Sequence, residues 1–93
     1  MPKPNTVTDE QVAQWSKTLD DDLSTPLNYK LNPVIREVMI VGYWLAEELL
    51  KLSCPQEKIL RIQYTVGAAS FGRDAWDTAQ NYIDKYKSGN LTF

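Results

Sequence analysis

Apolar residues recur at threes and fours over most of this chain. Between Asp9 and Leu23 they fall at Val12, Trp15, Leu19 and Leu23, the spacing of a helix that buries one stripe. Thr8, followed by "DEQ", supplies a capping-box start in which the hydroxyl accepts an early amide and Gln11 reaches back. Ahead of it, Met1 to Val7 with Pro2 and Pro4 reads as a flexible arm.

Periodicity breaks in "STPLNYKLNP", Ser24 to Pro33. Leu27, Tyr29 and Leu31 alternate with Asn28 and Lys30, which predicts an extended strap with one side buried, or a short strand that pairs with a partner's edge. Asn32 and Pro33 then mark a new helix start, a cap followed by proline at the first helical position. This second helix is expected to reach Leu52 or Ser53. Its main stripe is Val34, Val38, Val41, Leu45, Leu49 and Leu52, widened by Ile35, Met39, Gly42 and Ala46. Ile40, Tyr43 and Trp44 fall outside that stripe, so the middle of the helix is apolar nearly all round. Such a helix is either central in the fold or exposes a patch that something else covers.

Ser53 or Cys54, then Pro55 and Glu57, repeat the start signal and imply a tight hairpin into a third helix. The helical pattern can persist to Lys87, where Lys85 and Lys87 suit the negative end of the helix dipole and Gly89 offers a left-handed stop. Residues 88–93 read as a short tail. If that helix is continuous, its apolar residues divide into two rows. Ile62, Val66, Ala69, Trp76, Ala79 and Ile83 share one face; Leu60, Tyr64, Gly67, Phe71, Ala75 and Tyr82 lie almost opposite. Only one row can face the first two helices, so the other wants a partner. A break between Gly67 and Arg73 would rotate the halves and merge the rows. The expected fold is therefore an all-α compact bundle of three long helices, or four if the last one breaks there.

The chain has 93 residues, which fits one domain, 1–93, small enough to need a stabilising device. Cys54 is the only cysteine and there is no histidine. An internal disulfide and the usual zinc ligand sets are thus excluded, and no cofactor is expected. A lone thiol, with no secretory-type leader in "MPKPNTVTDEQ", points to the cytoplasm. The longest apolar run, Val38 to Ala46, stops at Glu47 and Glu48, too short for a membrane span. Ten basic and twelve acidic residues, net charge −2, form no basic cluster, so nucleic acid is not an expected partner.

The stretch "VGAASFGRDAW" places Gly67 and Gly72 at the spacing of a phosphate loop. However, Arg73 and Asp74 replace the required Lys and Ser/Thr, and no strand precedes it. Small residues from Gly67 to Ser70 instead suit a close helix approach, near Gly42, or a hinge. Asp20, Asp21 and Asp22 lack the spacing and glycine of a calcium loop and read as a solvated helix end. Without histidine, Ser/His/Asp and Cys/His catalysis is excluded.

Glu47 and Glu48, with Asp74 and Asp77 on the third helix, superficially resemble the acidic helices with which all-helical nucleotide pyrophosphohydrolases hold magnesium. That resemblance implies metal-assisted hydrolysis, and it departs from the pattern where Lys51 follows Glu47 and Glu48. The favoured expectation is a small interaction, regulatory or adaptor protein acting through aromatic helix faces, as a homodimer or with another protein. Its expected contact residues are Tyr64, Phe71, Arg73 and Tyr82, with Tyr43 and Trp44 as a second surface, because aromatic and arginine side chains dominate interface centres.

Overall fold

Five helices follow one another in the computed structural model, which describes residues 3–70 and 74–91. They are α1 (Asp9–Asp21), α2 (Leu27–Leu31), α3 (Pro33–Lys51), α4 (Gln56–Ala69) and α5 (Ala75–Ser88). No strand occurs among the described residues. The architecture is an all-α bundle of four long helices and one short one.

Local chemistry explains where each helix begins and ends. At α1 the Thr8 hydroxyl accepts from the Gln11 amide at 3.1 Å, and the Gln11 side-chain oxygen accepts from the Thr8 amide at 2.8 Å. Val7 and Val12 occupy the flanking positions of a hydrophobic staple, and Val7 is only 2 % exposed. The end of the expected flexible arm is thus part of the core. Asp22 stops α1 two residues short of Leu23. Its carboxylate accepts from the Ser24 amide at 2.9 Å, the Ser24 hydroxyl and the Thr25 hydroxyl. This Asx-turn competes with another helical turn, and Leu23, expected on the buried stripe, is 96 % exposed.

The segment from Ser24 to Pro33 is not an extended strap. Pro26 opens a single helical turn in which its carbonyl accepts from Tyr29 and Lys30. The Lys30 ammonium donates to the Asp20 carbonyl at 3.0 Å, satisfying a backbone group that the end of α1 leaves free. Leu27 and Leu31, four residues apart, share a face of α2 and are both exposed. With its amides turned into this helical pattern, α2 presents no strand edge to a partner.

Asn32 caps α3, accepting from the amides of Val34 and Ile35 at 3.0 and 3.1 Å. At its other end the Cys54 amide donates to the Leu49 carbonyl and the Ser53 amide to that of Leu50, a Schellman closure. Ser53, at φ 60°, takes the left-handed position that glycine ordinarily fills. Gly89, at φ 76°, does the same job after α5.

Helix α3 is the axis of the fold and packs against all four others. It runs antiparallel to α1, because Trp15 donates to Glu47 while Arg36 pairs with Asp20. Val41, Leu45 and Leu49 of α3 meet Ile59, Ile62 and Val66 of α4 and Ala79 and Ile83 of α5 in one core. Trp44 and Trp76 lie side by side in it, ring centroids 5.5 Å apart and tilted by 54°.

The continuous third helix is not formed. Helix α4 ends at Ala69, where the buried Ser70 hydroxyl turns back to donate to the Val66 carbonyl at 2.6 Å. Asp74 then caps α5, accepting from the Asp77 amide at 3.0 Å. Energetics favour the break. Each large side chain taken out of water contributes about 1.5–3 kcal/mol, and two separate helices let the α5 part of the second row turn toward the core while its α4 part stays outside. Ala75, expected on the partner-seeking row, is buried, and Tyr82 is half-buried against the core.

Candidate functional site

One remnant of that second row stays outside. Helix α4 buries Ile59, Ile62 and Val66, yet holds Leu60 at 56 % and Tyr64 at 81 % exposure on its other side. Positions 60, 64, 67 and 68 repeat at fours and threes, so a second apolar stripe, Leu60, Tyr64, Gly67 and Ala68, runs along this face.

Beside the stripe lies a groove of about 550 Å³ between α3 and α4, closed at one side by Tyr29 of α2. Val38, Met39 and Tyr43 of α3 form one wall; Tyr64 and Ala68 of α4 form the other. Gly42 and Gly67 line it from opposite helices. Neither backbone is pressed against a neighbour. A Cβ added at Gly67 would stand 3.9 Å from the Val38 Cγ1 and one at Gly42 would stand 4.0 Å from the Gln63 Nε2. The missing side chains therefore deepen the groove instead of admitting a closer α3–α4 contact. Gln63 is its main polar group, and its amide is already committed, donating to the Gly42 carbonyl at 2.8 Å. Burial, aided by the negative field of Asp22, pushes the Tyr43 phenol above its ordinary pKa. The groove presents tyrosine rings and aliphatic carbon. It offers no nucleophile and no general base; it can accommodate apolar side chains.

The expected contact residues are divided by the fold. Tyr43 and Tyr64 come together in this groove. Trp44 does not join Tyr43 at a second surface: at 3 % exposure it is a core residue, turned inward beside Trp76. Its indole N–H has no acceptor among the described residues, a cost of about 1–3 kcal/mol that is tolerated for the apolar area the ring buries. Tyr82 is not part of the groove and carries the Lys85 ammonium 5.3 Å from its ring centre. Phe71 and Arg73 lie outside the described residues. Sequence reasoning missed Tyr29, Val38 and Met39 as groove residues, because only the α3–α4 crossing and the helical form of α2 bring them together. The glycines Gly42 and Gly67 were the available signal.

Three of the four carboxylates considered for magnesium, Glu47, Glu48 and Asp74, have other partners. Glu47 accepts from the Trp15 indole at 3.2 Å, Glu48 faces Lys51 at 3.6 Å, and Asp74 caps α5 through the Asp77 amide. Among the described residues, no three histidine, cysteine or carboxylate side chains are grouped so as to hold a metal ion. Two of the three aspartates at the end of α1 also have local roles: Asp20 takes a hydrogen bond from Arg36 at 2.6 Å and Asp22 builds the following turn. Among the described residues, no helix is long and apolar enough to cross a membrane.

No protein-family model, curated protein or solved structure matches this chain.

Proposed function

We propose that this chain is a small interaction protein of the regulatory or adaptor kind, whose working surface is the α3–α4 groove and the stripe Leu60–Tyr64–Ala68 beside it. It acts by docking on another chain, with no chemistry of its own on a substrate. The observation that supports this most is the placement of Tyr64. A large aromatic side chain standing 81 % exposed at the lip of an apolar groove is the arrangement of an interface anchor. A reducing, cytoplasmic setting suits the single free thiol, Cys54, which lies buried behind α3.

The test is a photo-crosslinking amino acid placed at position 64 and, as a control, at exposed Lys17 on α1. Irradiation in extract of the native cells is expected to give a discrete adduct from position 64 and none from position 17. Equal, diffuse labelling from both sites, or none from either, would contradict the docking role.

A further inference from the structure

We infer that a polar cleft between α3 and α5 binds a free amino acid with an acidic side chain. The cleft has a volume of about 460 Å³, within the range of roughly 300–1,000 Å³ usual for small-molecule sites. Trp44, Glu47, Glu48 and Lys51 line it from α3, and Gln80 and Lys87 from α5. The four α3 positions recur at threes and fours and so share one face. At about 100° per residue, that face lies opposite the one that carries Val38, Met39, Gly42 and Tyr43 into the groove. The site therefore goes beyond the docking role and is independent of it.

An unanswered donor stands on the wall of this cleft. Trp44 is 3 % exposed, and its indole N–H is the one buried side-chain polar group among the described residues that lacks a hydrogen-bond partner. The ring is held in the core beside Trp76, centroids 5.5 Å apart, and does not swing away to find one. Glu47, one turn further along α3, already accepts from the Trp15 indole at 3.2 Å. A bound acceptor oxygen would recover the hydrogen bond that the fold leaves unmade.

The charges of the cleft define what else the ligand carries. After the Trp44 donor come the carboxylates of Glu47 and Glu48, then the Lys51 ammonium, about 10 Å of helix rise from Trp44. Lys51 meets Glu48 only at 3.6 Å, longer than a hydrogen bond, and Lys87 has no ion-pair partner among the described residues. Two carboxylates and two ammonium groups cancel, so an ion of one sign alone meets as much repulsion as attraction. An acidic amino acid answers the groups in their order. Its α-carboxylate accepts from the Trp44 N–H. Its ammonium donates to Glu47, Glu48 and the side-chain oxygen of Gln80, whose nitrogen is committed to Asp84 at 3.0 Å. Its side-chain carboxylate takes Lys51 and Lys87.

Proton–nitrogen correlation NMR on the full chain reads the Trp44 indole N–H directly, with glutamate as the probe. Millimolar glutamate is expected to move that signal in a saturable way and to raise Tm, since it binds only the folded chain. N-acetylglutamate, glutamine and γ-aminobutyrate each lack one of the three charges and are expected to bind at least about tenfold more weakly. Glu48→Gln is expected to weaken glutamate by a similar factor, and Lys87→Met to erase the preference for glutamate over glutamine. Neither residue belongs to the core, and circular dichroism shows that the helices of both variants are intact. A Trp44 signal that no probe moves leaves the N–H to water alone and overturns the proposal. Equal affinity for glutamate and N-acetylglutamate makes the cleft a plain anion site; equal affinity for glutamine removes the acidic side chain from the requirement. Either result overturns it, as does glutamate binding that both substitutions leave unchanged. None of these outcomes touches the docking role of Tyr64, which the photoprobe tests separately.

Discussion

Replacing Ser53 by glycine should stabilise the protein, against the usual effect of glycine. Ser53 follows α3 at φ 60°, inside a closure whose two backbone bonds run from Ser53 to Leu50 and from Cys54 to Leu49. An L-residue in that left-handed conformation costs roughly 1–2 kcal/mol. Glycine removes the strain but loses about 0.5–1 kcal/mol through its greater freedom in the unfolded chain, leaving a net gain of about 0.5–1 kcal/mol. Unfolding entropy of about 2.1 cal/mol/K per residue over 93 residues converts this to a rise in Tm of about 3–5 °C. Thermal melts of wild type, Ser53→Gly and Ser53→Ala measure it, with alanine giving no gain because it keeps the Cβ. Gly89, at φ 76°, provides the mirror experiment, in which Gly89→Ala lowers Tm. Should Ser53→Gly lower Tm as well, the end of α3 is not built as described.

Gly67→Ala is expected to raise the stability of the single chain by about 0.5–1 kcal/mol through helix propensity, since the new Cβ meets Val38 at an ordinary 3.9 Å. The same change makes the groove shallower, so it should weaken the adduct formed by the photoprobe at position 64; denaturant titration and crosslinking in extract read the two effects separately. Hydrogen bonds from the Arg36 guanidinium hold the Asp20 carboxyl below its ordinary 3.8, so its contribution is complete above that value and disappears as pH falls through the lower folded value. The stability advantage of wild type over Asp20→Asn should therefore be present at neutral pH and vanish below pH 3.8, as acid melts would show. Thr8→Ala removes the hydroxyl that accepts from the Gln11 amide, while the residue 8 amide can still donate to the Gln11 side chain, and should cost about 1 kcal/mol in a denaturant titration.

Features set by a few neighbouring residues were legible in the sequence. Thr8 with Gln11, Asn32 with Pro33, and Lys85 and Lys87 before Gly89 each act within one helical turn, and each marks the boundary it was expected to mark. The all-α class followed from periodicity in the same way. Short segments were harder. Leu27, Tyr29 and Leu31 alternate as in a strand, but Leu27 and Leu31 also share one face of a single helical turn. The choice fell to Pro26 and to a bond from Lys30 back to α1. At Asp22 a side-chain turn ended α1 before Leu23, a competition that hydrophobic spacing does not register.

The site divided along the same line. Tyr64 was identifiable because it lies opposite Ile62 and Val66 on α4, whichever way the chain continues. Trp44 was not, since α3 is apolar around its middle and the position of α5 decides which of its faces is covered. Ala75 and Tyr82 changed sides because the break after Ala69 rotates α5 relative to α4. The groove itself depends on how two helices cross, and Gly42 and Gly67 showed only that space exists there.

The claim on which the functional account depends is that the Leu60–Tyr64–Ala68 stripe is covered when the protein is at work. Paramagnetic relaxation of side-chain NMR signals by a soluble, uncharged probe tests it directly, on isotope-labelled protein in buffer and in extract of its native cells. The account predicts that Leu60 and Tyr64 are strongly relaxed in buffer and become protected in the extract, while exposed Leu23 and Leu50 stay relaxed in both. Tyr64 relaxed equally in both, by a chain that remains folded, would contradict it.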